Sequence, residues 1–65
     1  MNVYRIWLTD NNDNIIYLNE DFDSRSEANK YVDEIINKYQ DATIFEVNIN
    51  ENKVTYRMID VIFSI

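Results

Sequence analysis

The chain contains neither glycine nor proline, so its turns cannot depend on the two residues that most often make them. Asparagine and aspartate must replace them, because their short polar side chains hydrogen-bond to nearby backbone and tolerate a positive φ. A length of 65 residues allows one domain, residues 1–65, and such a domain has little surface to bury on folding.

The first third of the chain has the pattern of a β-hairpin. Residues 3–8 alternate in polarity and are rich in β-formers, which predicts a strand, and residues 15–18 predict the returning strand. The DNNDN segment between them spaces its oxygens like the start of a calcium loop. Ile15 stands where such a loop needs glycine, and Asp21 replaces its bidentate glutamate, so a plain turn is favoured.

The centre of the chain predicts an amphipathic helix. Ser24 and Glu27 match the S-x-x-E capping box, in which each side chain satisfies a free backbone N–H of the other residue. The apolar positions that follow have helical spacing: Ala28, Tyr31, Val32, Ile35, Ile36 and Tyr39. The opposite face carries charged residues at four-residue intervals, so one side of the helix packs and the other is solvated.

Two more strands are predicted after the helix. Residues 43–50 alternate, residues 50–53 form a second Asn-rich turn, and residues 54–65 are apolar but irregular. In this last segment the apolar residues occupy even-numbered positions up to Met58 and mainly odd-numbered positions from Ile59 to Ile65. That change indicates either a β-bulge near Met58 or a strand that is apolar on both faces.

The element order ββαββ predicts an α+β fold, a two-layer sandwich whose mainly antiparallel four-stranded sheet carries one helix on one face. The other face is then either solvated or an interface. The expected set beneath the helix is Tyr4, Ile6, Leu8, Phe45, Val47 and Ile49. Trp7 is expected either outward beside Arg5 or inward at the edge of the core, because alternation alone does not assign the faces.

Composition excludes several classes of function. The chain has no histidine or cysteine and a net charge of −6, which removes disulfides, His/Cys metal sites and the usual nucleophile–base pairs. No cofactor, metal site or catalytic residue is predicted. Acidity argues against direct binding of nucleic acid or of anionic membranes. The lack of a basic leader and of a long apolar run favours a cytoplasmic location.

Two surfaces remain as candidates for binding a partner. One is the open sheet face, with Arg5, Trp7 and Arg57. The other is the acidic side of the helix, with Asp21, Asp23, Glu27, Asp33 and Glu34, where spaced carboxylates can imitate nucleic acid phosphates or can simply keep the chain soluble. Asp60, in an apolar strand, is expected on the outer face or paired with an arginine such as Arg5 or Arg57.

In its short length, its surplus of acid and its heavy use of Asn, Ile, Asp and Tyr, the chain resembles small inhibitors made by bacteriophages and mobile elements, of the anti-CRISPR or other anti-defence type. The resemblance implies a non-enzymatic protein that binds a larger host protein, such as a nucleic-acid-handling enzyme, and blocks its surface. The alternative is a homodimerising module that uses the open sheet face or the C-terminal strand.

Overall fold

The computed structural model describes residues 1–64 as an α+β fold with one helix packed on a four-stranded sheet. The elements are β1 (Asn2–Thr9), β2 (Ile15–Tyr17), α1 (Arg25–Ile35), a 3-10 turn (Ile36–Lys38), β3 (Asp41–Asn50) and β4 (Lys53–Phe63). The strand order is β2-β1-β3-β4 and each neighbouring pair is antiparallel. This confirms the predicted ββαββ fold; Ile65, expected at the end of the last strand, lies outside the described residues.

The first turn is built from its own aspartates, as the sequence predicts. The Asp10 carboxylate accepts hydrogen bonds from the backbone N–H groups of Asn12 and Asn14 at 2.8 and 2.9 Å, and these bonds lower the pKa of Asp10. Asp13 has a φ of 66°, a conformation usually left to glycine. The turn therefore reverses the chain without glycine.

The predicted cap starts the helix. The Ser24 hydroxyl accepts a hydrogen bond from the Glu27 backbone N–H at 3.1 Å, and the Glu27 carboxylate accepts one from Asp23 at 3.3 Å. The reciprocal bond thus goes to the residue before the cap rather than to Ser24 itself. The apolar stripe packs on the sheet as expected, with Ala28 and Val32 fully buried.

Replacing Ser24 with alanine is expected to reduce the free energy of unfolding by about 1 kcal/mol, because the Glu27 backbone N–H loses the Ser24 hydroxyl as its acceptor. Ser26→Ala is the matched control, since Ser26 is exposed inside the helix, where alanine is the better helix former. Urea unfolding followed by circular dichroism measures both. Equal stability of the two variants would contradict the capping role.

The core lies between α1 and the half of the sheet nearest Thr9 and Phe63. Its buried members are Ile6, Leu8, Ala28, Val32, Ala42 and Ile44. The prediction for β1 is confirmed, but the prediction for β3 is wrong. Ile6 pairs with Ile44 across the two strands, so Ala42 and Ile44 lie beneath the helix and Phe45, Val47 and Ile49 lie on the other side.

A β-bulge separates the two halves of β4, which resolves the change of parity in the sequence. The β3–β4 register shifts between Ile44 and Phe45, whose partners are Asp60 and Met58, so Ile59 is the extra residue. Ile59 packs against the core beneath the helix. The bulge keeps Ile62 under the helix while Val54, Tyr56 and Met58 line the opposite side.

Candidate functional site

The side of the sheet opposite α1, here called the open face, carries most of the exposed apolar surface. The cross-strand register and strand alternation assign to it Val3, Arg5, Trp7, Ile15, Tyr17, Thr43, Phe45, Val47, Ile49, Val54, Tyr56, Met58, Val61 and Phe63. Seven of these are large apolar side chains that are 38–69% exposed: Ile15, Tyr17, Val54, Tyr56, Met58, Val61 and Phe63. The face that the single helix leaves uncovered is therefore largely apolar.

An aromatic cluster organises the middle of the open face. Trp7 lies 4.4 Å from Phe45 and 4.8 Å from Tyr17 between ring centroids, and 6.1 Å from Tyr56. Of the two orientations left open by the sequence, the structure has the outward one, with Trp7 half-buried by its aromatic neighbours. These four rings lie one on each of the four strands, which gives the face a preformed shape.

Arg5 links the aromatic cluster to the segment that follows β2. Its guanidinium donates to the Asp21 carboxylate at 2.6 and 3.3 Å and to the Tyr56 hydroxyl at 2.6 Å. It also lies 5.8 Å from the centre of the Tyr56 ring. The hydrogen bonds to Asp21 are the main cause that raises the pKa of Arg5, and they lower the pKa of Asp21. Asp21 thus belongs to the open face, not to the acidic helix side.

A groove runs beside this network. Phe22 pairs with Tyr4 through two backbone hydrogen bonds of 2.8 Å, so the three residues before it loop outward. The groove has a volume of about 680 Å³ and is lined by Arg5, Trp7, Tyr17, Leu18, Asn19, Glu20, Asp21 and Tyr56. Its lining thus combines three aromatic residues with the acidic residues Glu20 and Asp21.

The other predicted binding residues are dispersed. Arg57 pairs with Glu46 at 2.6 Å, and Glu46 lies opposite Tyr4 on the helix side of the sheet. The prediction that Arg57 lies on the open face with Arg5 and Trp7 is therefore wrong, because the β3–β4 register places Arg57 on the same side as Glu46. Glu46 in turn has a lowered pKa, chiefly through its hydrogen bonds with Arg57.

Asp60 is paired with an arginine, but not with either of those named from the sequence. Its carboxylate lies 3.6 Å from the Arg25 guanidinium at the start of α1. The helix crosses the sheet near the bulge, which brings its first turn to β4. This contact ties the helix to the edge strand.

The acidic side of the helix is solvated as predicted. Asp23, Glu27, Asp33 and Glu34 are exposed. Glu27 and Glu34 border a shallow depression of about 260 Å³ with Phe22, Lys30 and Tyr31. No three carboxylates in the described part of the chain lie close enough together to hold a metal ion.

Sequence reasoning missed several residues of the open face, namely Tyr17, Phe45, Tyr56, Met58 and Phe63. A signal for the β3 face was present in its even-numbered positions, where Ala42 and Ile44 are followed by Glu46 and Asn48. An 11-residue helix is about 16 Å long and covers roughly half of a 10-residue strand. A strand side that is apolar in one half and polar in the other therefore matches a helix that covers only the apolar half.

Comparison with models of protein families, with curated proteins and with solved structures finds no match. No helix within residues 1–64 combines the length and the apolar character that crossing a membrane requires.

The ion pair between Arg5 and Asp21 predicts an acid-dependent loss of stability. Because the pKa of Asp21 is lower in the folded chain than its ordinary 3.8, its stabilising contribution is complete above that value and disappears as pH falls through the lower folded pKa. Thermal melts between about pH 7 and pH 2 should show wild type more stable than Asp21→Asn near neutrality. The difference should vanish at the acid end, and a difference independent of pH would contradict this role.

Proposed function

We propose that the protein is a non-enzymatic protein-binding module whose recognition surface is the open face. The observation that carries this proposal is the concentration of seven exposed large apolar side chains on one side of the sheet. They lie on both edge strands of the sheet, with the aromatic cluster around Trp7 between them, and exposed apolar patches of more than a few hundred Å² are rare on monomers. Such a patch is characteristic of an interaction site.

The composition of the surface supports protein as the ligand. Aromatic residues, methionine and arginine are enriched at the centres of protein interfaces, and the open face combines Trp7, Tyr56, Met58 and Arg5. No charged side chain among residues 1–64 is buried, whereas catalytic acids and bases are usually tuned by burial. Both observations favour binding over catalysis.

The target we propose is a larger host protein, whose surface is blocked when the open face covers it. The net charge of −6 lies mainly on the helix, the loops and the far side of the sheet, so it surrounds the contact instead of entering it. Acidic residues around the contact attract the chain electrostatically toward a basic surface. A nucleic-acid-handling enzyme has such a surface, and covering it would inhibit the enzyme.

Affinity capture tests this proposal. The full chain is immobilised and exposed to a lysate of its natural host at low and high salt. Met58→Asp changes an exposed open-face residue, and Thr55→Asp is the control on the same strand but on the helix side. The proposal predicts a partner that wild type and Thr55→Asp retain at both salt concentrations and that Met58→Asp loses.

The opposite result would identify the acidic side of α1 as the recognition surface. A partner that Met58→Asp retains and that high salt releases must bind through the exposed carboxylates, since their attraction is screened by ions. That outcome would contradict the open face as the recognition surface and would favour the acidic side of α1.

A further inference from the structure

The charges of the molecule are segregated by side. Among the described open-face side chains Arg5, Asp21 and Asp41 are charged; Asp21 neutralises Arg5, and Asp41 lies opposite Phe63 at the end of β3. The remaining acidic surplus lies on the helix, the turns and the helix side of the sheet. Two copies in contact through their open faces would therefore place their acidic surfaces on opposite outer sides.

This separation removes the main obstacle to self-association of a chain with six net negative charges. Packed sheets lie about 10 Å apart, and each helix adds a layer of about 10 Å. The two acidic helices would then be roughly 30 Å apart, well beyond the screening length of about 8 Å at physiological salt. Electrostatic repulsion between the two copies would therefore be small when they meet through their open faces.

The apolar surface is broad. A standard interface takes about 800 Å² from each partner, so a second copy must cover the open face across the sheet. The exposed side chains at its two edges, Tyr17 on β2 and Phe63 on β4, are 64% and 69% exposed. The apolar surface thus extends across the whole width of the sheet.

We propose that a second copy of this chain covers the open face, forming a two-fold β-sandwich that opens when a target competes for the same surface. This inference rests on the proposed function, because it assigns an occupant to the same site. The contact is isologous, so every residue of the face is used twice. A small domain with a marginal core gains in this way the apolar burial that it lacks alone.

Sedimentation velocity over concentrations from about 1 to 500 µM tests the proposal. Wild type is expected to pass from monomer to dimer. Tyr17→Glu, which places two carboxylates in each dimer interface, should raise the dissociation constant by about a hundredfold or more. Thr55→Glu is the control on the helix side of β4 and should associate like wild type. Trp7 is the single tryptophan of the chain, so its fluorescence spectrum should shift on dimerisation and reports on the open face independently.

Other outcomes would overturn the proposal. A wild type that stays monomeric throughout removes the dimer but leaves the proposed function intact if captured partner still depends on Met58. A dimer that survives Tyr17→Glu and is lost in Thr55→Glu is held by the β4 edge instead. Should Tyr17→Glu lose its circular dichroism spectrum, Phe63→Glu on the opposite edge serves as the second variant with the same expected result.

Discussion

Replacing Ile44 with alanine is expected to lower the free energy of unfolding by about 3–4 kcal/mol. Ile44 is fully buried, pairs with Ile6 on the neighbouring strand, and belongs to the cluster beneath α1. Its truncation removes three carbon atoms from a site enclosed on both the sheet and helix sides, where the neighbours cannot easily collapse. Urea unfolding followed by circular dichroism measures the loss.

Two further variants make the result interpretable. Ile15→Ala removes the same atoms from a side chain that is 57% exposed on the open face and should cost less than about 1 kcal/mol. Ile44→Val, with an expected cost of about 1 kcal/mol, gives a measurable value if Ile44→Ala leaves too little folded protein. A loss at Ile44 no greater than that at Ile15 would contradict the assignment of the faces of β3.

Replacing Trp7 with alanine is expected to weaken binding of the captured partner by at least 2 kcal/mol, about thirtyfold. Trp7 contacts Tyr17, Phe45 and Tyr56, so its removal opens a cavity in the face and releases the rings that surround it. Titration of purified partner, monitored by calorimetry at low and high salt, measures the effect. Since the contact is apolar, the loss should change little with salt.

Stability must be measured in parallel, because the same truncation also weakens the fold. Trp7→Phe keeps an aromatic ring in the cluster and should recover most of the stability and part of the affinity. Glu34→Gln on the exposed helix surface provides the comparison for charge and should leave affinity within about threefold. If Trp7→Ala binds as tightly as wild type while folded, the aromatic cluster is not the centre of the recognition surface.

The sequence was sufficient to predict the elements and their order. Local interactions determine most of them: Asp10 forms its turn through backbone groups two and four residues away, and Ser24 caps the helix three residues before Glu27. The bulge was one of two alternatives that the change of parity after Met58 indicated, and the register confirms it. Each of these features is encoded within a few adjacent residues.

The orientation of β3 and the ion-pair partners could not be predicted in the same way. Both sides of β3 are apolar near its centre, so alternation does not distinguish Ile44 from Phe45. The side on which Arg57 lies depends on the register beyond the bulge, and the partner of Asp60 depends on where α1 crosses the sheet. The ion-pair partners are tertiary relations without a local signal, whereas the face of β3 had one in the change from Ala42 and Ile44 to Glu46 and Asn48.

The central claim is that the open face is covered in the working form of the protein, and side-chain methyl groups test it most directly. Met58 lies on the open face and is 60% exposed, and Thr55, which also carries a methyl group, is exposed on the helix side of the same strand. With methyl-labelled protein and a soluble paramagnetic probe, the Met58 methyl group should lose its relaxation enhancement in the partner complex while that of the Thr55 methyl group stays nearly unchanged. An enhancement at Met58 that is the same in the free and bound chain would contradict the claim.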